Sequence, residues 1–243
     1  MESLRDRLYD SYVSTHAGSA SGPATQLAYR RDLRPHLRRT GSADRLRVLD
    51  IGCGQGELVR LLVADGFDAR GVDVSTEQVS LARAAGLDRV EHADFHAYLR
   101  ASAGNWDAVV ATDVLEHLNR EEVLQTFDGA RMALRPGGVL VARVPNAVSP
   151  TGGHTMWSDV THETWFTRRS VAQLAAVAGF ASVEVFACTP PAHGLVSAAR
   201  ALLWKPISGM FKLALAVETG ALRGHIVTQN LTFVARTTEV TNS

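Results

Sequence analysis

Val48-Leu49-Asp50-Ile51-Gly52-Cys53-Gly54-Gln55-Gly56 is the stretch that decides the fold. A short β-branched run ends on an acidic residue, and three glycines at alternate positions follow before a helical pattern begins. A strand-to-helix turn of this kind needs residues without Cβ, because the backbone takes unusual angles there and a ligand can come close. In an open α/β sheet such a turn opens onto the crevice at the carboxyl ends of the strands, where ligands bind.

Downstream, short β-branched runs alternate with helical patterns, the arrangement of βαβ units feeding a parallel sheet. Strands are expected at 46–51, 68–73, 89–93, 106–111, 139–144, 182–187 and 230–236. Helices are expected at 55–65, at 76–85 with Ser75 as N-cap and Gln78 completing a capping box, at 120–134, and at 168–178 closed by Gly179. Pro136-Gly137-Gly138 reads as an abrupt end to the helix before it.

Three acidic residues beyond or before the glycines suggest what the turn holds. Asp73, at the carboxyl end of the second strand, suits hydrogen bonds from both hydroxyls of a ribose, and Val74 follows it into the same place. Asp94 and Phe95, after the third strand, offer a carboxylate for an adenine amine and an aromatic face for its ring. Asp50 stands where it faces a cationic group rather than a pyrophosphate. A nicotinamide-dependent oxidoreductase is disfavoured, because Glu57 occupies the position of the third glycine of G-x-G-x-x-G and no tyrosine-lysine relay follows.

VLDIGCGQGELVRLL, GVDVS, HADF, WDAVVATDVLEHL and LRPGGVLVARVPN occur in the order typical of class I S-adenosylmethionine-dependent methyltransferases, which residues 46–146 therefore resemble. The resemblance implies a doubly wound α/β fold with a seven-stranded sheet, mostly parallel with the last strand antiparallel. It implies S-adenosyl-L-methionine as methyl donor, with Gly52 and Gly54 near its methionine portion, Asp73 on the ribose and Asp94 on the adenine. Cys53 serves there through its backbone, as a small packing residue rather than a nucleophile.

Methyl transfer from a sulfonium is an in-line displacement, so the protein must align donor and acceptor and give a hydroxyl or amine proton somewhere to go. His162, in the polar segment between the fifth strand and the next helix, is the first choice for general base, with His117 as a second catalytic candidate. His154, Trp157, Trp165 and Phe166 lie in the same region, the aromatics as candidates for walling the acceptor or for core packing. No metal is expected. If a divalent cation binds, Asp113, Glu116 and His117 would hold it, being on one face should 114–118 form a helical turn. That pattern is similar to the E-x-x-E-H metal site of ubiquinone-pathway O-methyltransferases, except that Asp comes first; lining of the cofactor pocket is the alternative. THETWFTRRSVAQLAAVAGF also resembles a stretch of bacterial methyltransferases that modify sugars of surface polysaccharides or natural products.

Composition narrows the class. The chain has 243 residues, 46% of them hydrophobic and 21% charged, with 25 Lys and Arg balancing 25 Asp and Glu. A neutral balance supplies no basic field for a phosphate backbone, so nucleic acid is not an expected partner. Cys53 and Cys188 are far apart and fit no zinc spacing, and 1–20 lacks a signal-peptide pattern; a cytoplasmic location follows. The apolar region 195–217 is broken by Arg200, Lys205, Pro206 and Lys212, so a transmembrane span is not expected.

The expected organisation is an N-terminal helical lid over 1–45, a methyltransferase domain over 46–237 carrying an apolar insertion at 190–228, and a disordered tail at 238–243. In the lid, Tyr12 or Arg30 is placed to reach the methionine carboxylate, among Tyr9, His16 and a basic run. The insertion reads equally as a cover for the acceptor pocket, a homodimer surface or a membrane contact that meets a lipid-linked sugar. The favoured function is O-methylation of a small molecule or a sugar hydroxyl on a glycan precursor or glycosylated metabolite. N-methylation and a non-catalytic cofactor-binding module are the alternatives.

Overall fold

The computed structural model describes residues 23–37, 45–189 and 194–239. Tyr9, Tyr12, His16 and 240–243 of the expected tail lie outside the described residues. A short helix α1 (Pro23–Ala28) runs into a π-type turn over Tyr29–Leu33 and a 3₁₀ turn over Arg34–His36. The sheet and its helices follow in the order β1 (Arg47–Ile51), α2 (Glu57–Ala64), β2 (Asp68–Asp73), α3 (Thr76–Ala84), β3 (Val90–His92), α4 (Phe95–Ala101), β4 (Trp106–Thr112), α5 (Arg120–Ala133) and β5 (Leu134–Pro145). Then come α6 (Gly152–Trp157), α7 (Arg168–Val177), β6 (Ser182–Cys188), α8 (Leu195–Thr219) and β7 (Asn230–Arg236).

The seven strands lie in the order β3-β2-β1-β4-β5-β7-β6. All neighbours from β3 to β5 are parallel, and β7 is antiparallel to both β5 and β6. Strand order reverses between β1 and β4, which opens a crevice at their carboxyl ends. Alternation along the strands feeds two cores. Leu49, Ile51, Val109, Leu140 and Phe233 face α4, α5 and α7, whereas Val48, Val110, Val141 and Val234 face α2, α3 and the N-terminal turns. Phe127 of α5 stacks on Phe233 at 5.4 Å and meets Phe180 edge-on at 6.2 Å. The N-terminal segment is clasped to the end of α2, where the Tyr29 hydroxyl donates to Asp65 at 2.9 Å and Arg34 Nε donates to the same carboxylate.

One expectation needs correction. Pro136-Gly137-Gly138 does not separate a helix from a strand: β5 begins already at Leu134, paired with Trp106, and the Pro-Gly-Gly run is a bulge before pairing resumes at Val139 opposite Ala108. Gly137, at φ +74°, supplies the turn. Beyond the last residue of β7, the Thr237 N–H donates to the Gly138 carbonyl at 3.0 Å and the Gly137 N–H donates to the Thr238 carbonyl at 3.1 Å. The insertion contributes one long helix, α8, and among the described residues no helix is long and apolar enough to cross a membrane.

Candidate functional site

The crevice between β1 and β4 widens into a cleft of about 1170 Å³. One half is built on the glycine turn. Gly52 has φ +64°, and a Cβ there would lie 2.5 Å from a methyl carbon of Val114. Gly56 has φ +72°, and a Cβ would meet Leu87 at 2.3 Å, so each position excludes a side chain by backbone angle and by space. Gly54 lies between them and its N–H donates to Asp73 Oδ2 at 2.8 Å. The other Asp73 oxygen accepts from the Ser75 N–H at 2.8 Å, so the carboxylate is held in one orientation at the cleft wall. Burial raises its pKa despite these two donors. The capping box expected at α3 is half formed: Ser75 accepts from the Gln78 N–H, while Gln78 Oε1 is buried without a hydrogen-bond partner.

Asp50 is 1% exposed, and its Oδ1 is buried with no hydrogen-bond partner. Burial, with the Asp73 carboxylate beside it, pushes its pKa well above the ordinary carboxylate value. A carboxylate abandoned in this way at a cleft wall suits a positively charged ligand group, which would restore both its charge balance and its missing bond. Cys53 packs over Gly71, and burial raises its thiol pKa, which disfavours the thiolate that a nucleophile needs. Val74 and Phe95 also line the cleft. Asp94 does too, and it caps α4 at the same time by accepting the Ala97 N–H at 2.7 Å.

The other half is a histidine-bearing loop latched to the turn after β4. The Glu116 carbonyl accepts two N–H groups, from Glu163 at 2.7 Å and Thr164 at 3.1 Å, and the Thr164 hydroxyl donates to the Leu118 carbonyl at 2.6 Å. This latch brings the His162 ring to 4.7 Å from that of His117. The protons on both rings can be assigned from their partners. His162 Nδ1 sits 3.2 Å from the Met156 carbonyl, which can only accept, so Nδ1 carries the hydrogen and Nε2 the lone pair in the neutral ring. The single hydroxyl proton of Thr161 goes to Asp159 at 2.6 Å; His117 Nδ1, 2.7 Å from that hydroxyl, is therefore the donor, and its lone pair also lies on Nε2.

The structure regroups the candidate cation ligands. Asp113, at φ +55° in a strained left-handed conformation, is engaged by Arg143, whose Nε donates to Oδ1 at 3.0 Å. The ligand atoms that lie within 4.8 Å of one another are those of Glu116, His117 and His162. Glu116 Oε2 is buried without a hydrogen-bond partner, and burial, then repulsion from Asp113, raises its pKa well above the usual value. Arg143 was not foreseen, although one arginine inside the apolar run VLVARVP signals a paired or functional charge. Asn230, at the start of β7, is a second unforeseen wall residue, with a buried Oδ1 that lacks a partner. His154 is exposed, Phe166 is wholly buried in the core, and Trp157 is largely exposed and edge-on to Trp165. Arg30 is exposed and away from the cleft, which Thr25 of α1 reaches instead.

Known proteins match this arrangement. A family model described as a methyltransferase domain matches residues 25–185. A ubiquinone biosynthesis O-methyltransferase of Aromatoleum aromaticum is 32% identical over 97 residues, which is 38% of this chain and 41% of that protein; the chain thus matches about two fifths of that relative's length. The crystal structure of a SAM-dependent methyltransferase from Archaeoglobus fulgidus superposes with a TM-score of 0.67 at 20% identity, covering 95% of this chain and 98% of that one. A 1,6-didemethyltoxoflavin-N1-methyltransferase of Burkholderia thailandensis, solved with its acceptor and S-adenosylhomocysteine, gives a TM-score of 0.62 at 18% identity over 97% of this chain and 88% of that one. With a family match over most of its length and the strand order described above, this chain belongs to the methyltransferase domain family, within the class I S-adenosylmethionine-dependent superfamily.

Proposed function

We propose that this methyltransferase moves the methyl group of S-adenosylmethionine to a hydroxyl oxygen of a small molecule, with a sugar hydroxyl on a glycan precursor or glycosylated metabolite as the acceptor, in the cytoplasm. The bound donor supplies an electrophilic methyl on a sulfonium. Asp50 faces its cationic portion, the Gly52–Gly54 backbone with Cys53 lies along its methionine, Asp73 and Val74 meet the ribose, and Asp94 with Phe95 meet the adenine. Asp113, engaged by Arg143, would line the donor pocket.

The observation that carries the reading is the fixed tautomer of His162. With Nδ1 committed to the Met156 carbonyl, Nε2 presents a lone pair at the cleft and can take the hydroxyl proton as the oxygen attacks the methyl. His117, oriented by Thr161 and Asp159, stands beside it as the second proton carrier. The test is His162→Ala, assayed for methyl transfer across a panel of glycosides and for donor binding by isothermal titration. A base predicts a rate lower by about 10² to 10⁴ with donor affinity retained. An undiminished rate would remove His162 from the mechanism. Tight donor binding in the parent with no transfer to any acceptor would favour a cofactor-binding module instead.

One observation favours a second reading, the convergence of Glu116, His117 and His162. Two imidazoles and a carboxylate suit zinc, iron or manganese better than magnesium. Loss of activity on chelation, restored by zinc or manganese, would place those three residues as ligands and retire His162 as a free base.

A further inference from the structure

Helix α8 wears its apolar residues outside. Its 25 residues reach about 37 Å at 1.5 Å per residue. Leu195, Leu202, Leu203, Met210, Leu213 and Val217 recur at three-, four- and seven-residue spacing along one face, and each is between 63% and 92% exposed. The opposite face, through Ser197, Ala201, Trp204, Ser208 and Leu215, is the less exposed one, with Ser197 buried and the other four half-buried. The most exposed apolar side chains of the helix therefore gather on one side of it.

Charge indicates what covers it. The whole chain is neutral, yet α8 carries Arg200, Lys205 and Lys212 against Glu218 alone, and Lys205 and Lys212 are the only two lysines among 243 residues. The lysines share one flank of the apolar stripe, seven residues apart, and Arg200 lies on the other. Long cationic stems bordering an apolar face can bury their methylenes while their heads stay in water, the arrangement of a helix lying at an anionic lipid surface. A second copy is a poorer occupant, since an antiparallel two-fold pairing of this face would set the lysine flanks of both copies side by side. The excursion leaves β6 at Cys188 and rejoins the sheet at Asn230, its ladder partner and a wall of the cleft, so α8 emerges at the cleft end of the sheet.

We propose that α8 is an in-plane membrane-binding helix that holds the mouth of the cleft against an anionic bilayer, where an amphiphilic acceptor is delivered. The full chain is incubated with vesicles of phosphatidylcholine alone and of phosphatidylcholine mixed with phosphatidylglycerol, and vesicle binding is read by co-sedimentation without donor or acceptor. Binding to the mixed vesicles, weakened by salt, is expected. Lys205→Ala/Lys212→Ala should lower it about thirtyfold, from roughly fivefold per lysine near a charged surface. Leu203→Glu/Met210→Glu should abolish it while leaving thermal melting and donor binding unchanged, because both side chains face solvent. Failure of the parent to bind mixed vesicles overturns the proposal, as does undiminished binding by the glutamate variant. So does a dimer in sedimentation velocity that the glutamate variant dissociates while vesicles are ignored, which would assign the face to a second copy. None of these outcomes depends on methyl transfer, so their failure leaves the catalytic reading standing.

Discussion

Replacing Asp50 by Asn should move stability and cofactor affinity in opposite directions. In the ligand-free protein the Asp50 carboxyl is wholly buried, one oxygen lacks a partner, and the Asp73 carboxylate repels it. Asn keeps a buried amide oxygen but carries no charge, so what it relieves is the cost of an ionised carboxylate buried beside Asp73, on the order of 1–3 kcal/mol. For a domain of this size that raises the melting temperature by roughly 2–12 °C. On the proposed role of Asp50 at the cationic portion of the donor, removing the charge also removes a charge-assisted hydrogen bond worth about 1.5–3 kcal/mol, so donor affinity should fall about 10- to 150-fold. The pH dependence carries the same signature. Because the folded protein holds this proton more tightly than the unfolded chain does, Asp50 costs nothing in acid and destabilises progressively as pH rises from the ordinary carboxylate value through its raised one. The Asn variant should therefore gain most over the parent on the alkaline side of that window. Differential scanning calorimetry across pH and isothermal titration with S-adenosylmethionine measure the two effects. An Asn variant that melts lower than its parent, or binds the donor equally well, would refute the reasoning.

Gly52→Ala should destabilise by at least about 2 kcal/mol, combining a left-handed backbone with a Cβ driven into Val114, whereas Gly66→Ala, left-handed but with open space around it, should cost about 1–2 kcal/mol; chemical denaturation compares them. Thr161→Val should leave donor affinity intact but lower turnover and alter its pH profile, because His117 loses the hydroxyl that fixes its tautomer; an unchanged profile would mean that His117 is only packing. Phe127→Ala should cost about 3–5 kcal/mol by emptying the stack between Phe233 and Phe180, read as a lower denaturation midpoint with an unchanged slope.

Most of the sheet was legible because its signals are local. β2 and β7 were placed to the residue, the first ending on Asp73 and the second bounded by a polar lead-in and by Thr237. The Pro-Gly-Gly bulge was not, since the same residues stop a helix or kink a strand, and only pairing with Trp106 and Ala108 across the sheet tells the two apart. The acids beside the glycine turn are placed by equally local signals, Asp50 and Asp73 within the last two residues of β1 and β2 and Asp94 two residues after β3, and all three line the cleft. The histidine side was not legible in this way: Glu116 and His117 meet His162 through a carbonyl that accepts two N–H groups from a distant loop, and backbone acceptors of that kind leave no mark in side-chain spacing. Asp113 illustrates the same limit, having been paired with its sequence neighbours when its partner is Arg143 on the adjoining strand.

The reversed direction of β7 has one more consequence. Because the last two strands form a hairpin that opens toward the ligand, whatever polypeptide joins them is delivered to the active-site rim without interrupting any rung of the sheet. Its return is pinned by Asn146, whose amide donates to the carbonyls of Ile226 at 2.8 Å and Thr228 at 2.9 Å. Because the segment between Cys188 and that pin, which carries α8, supplies no rung of the sheet, exchanging it is expected to leave donor binding unchanged, which isothermal titration with S-adenosylmethionine measures.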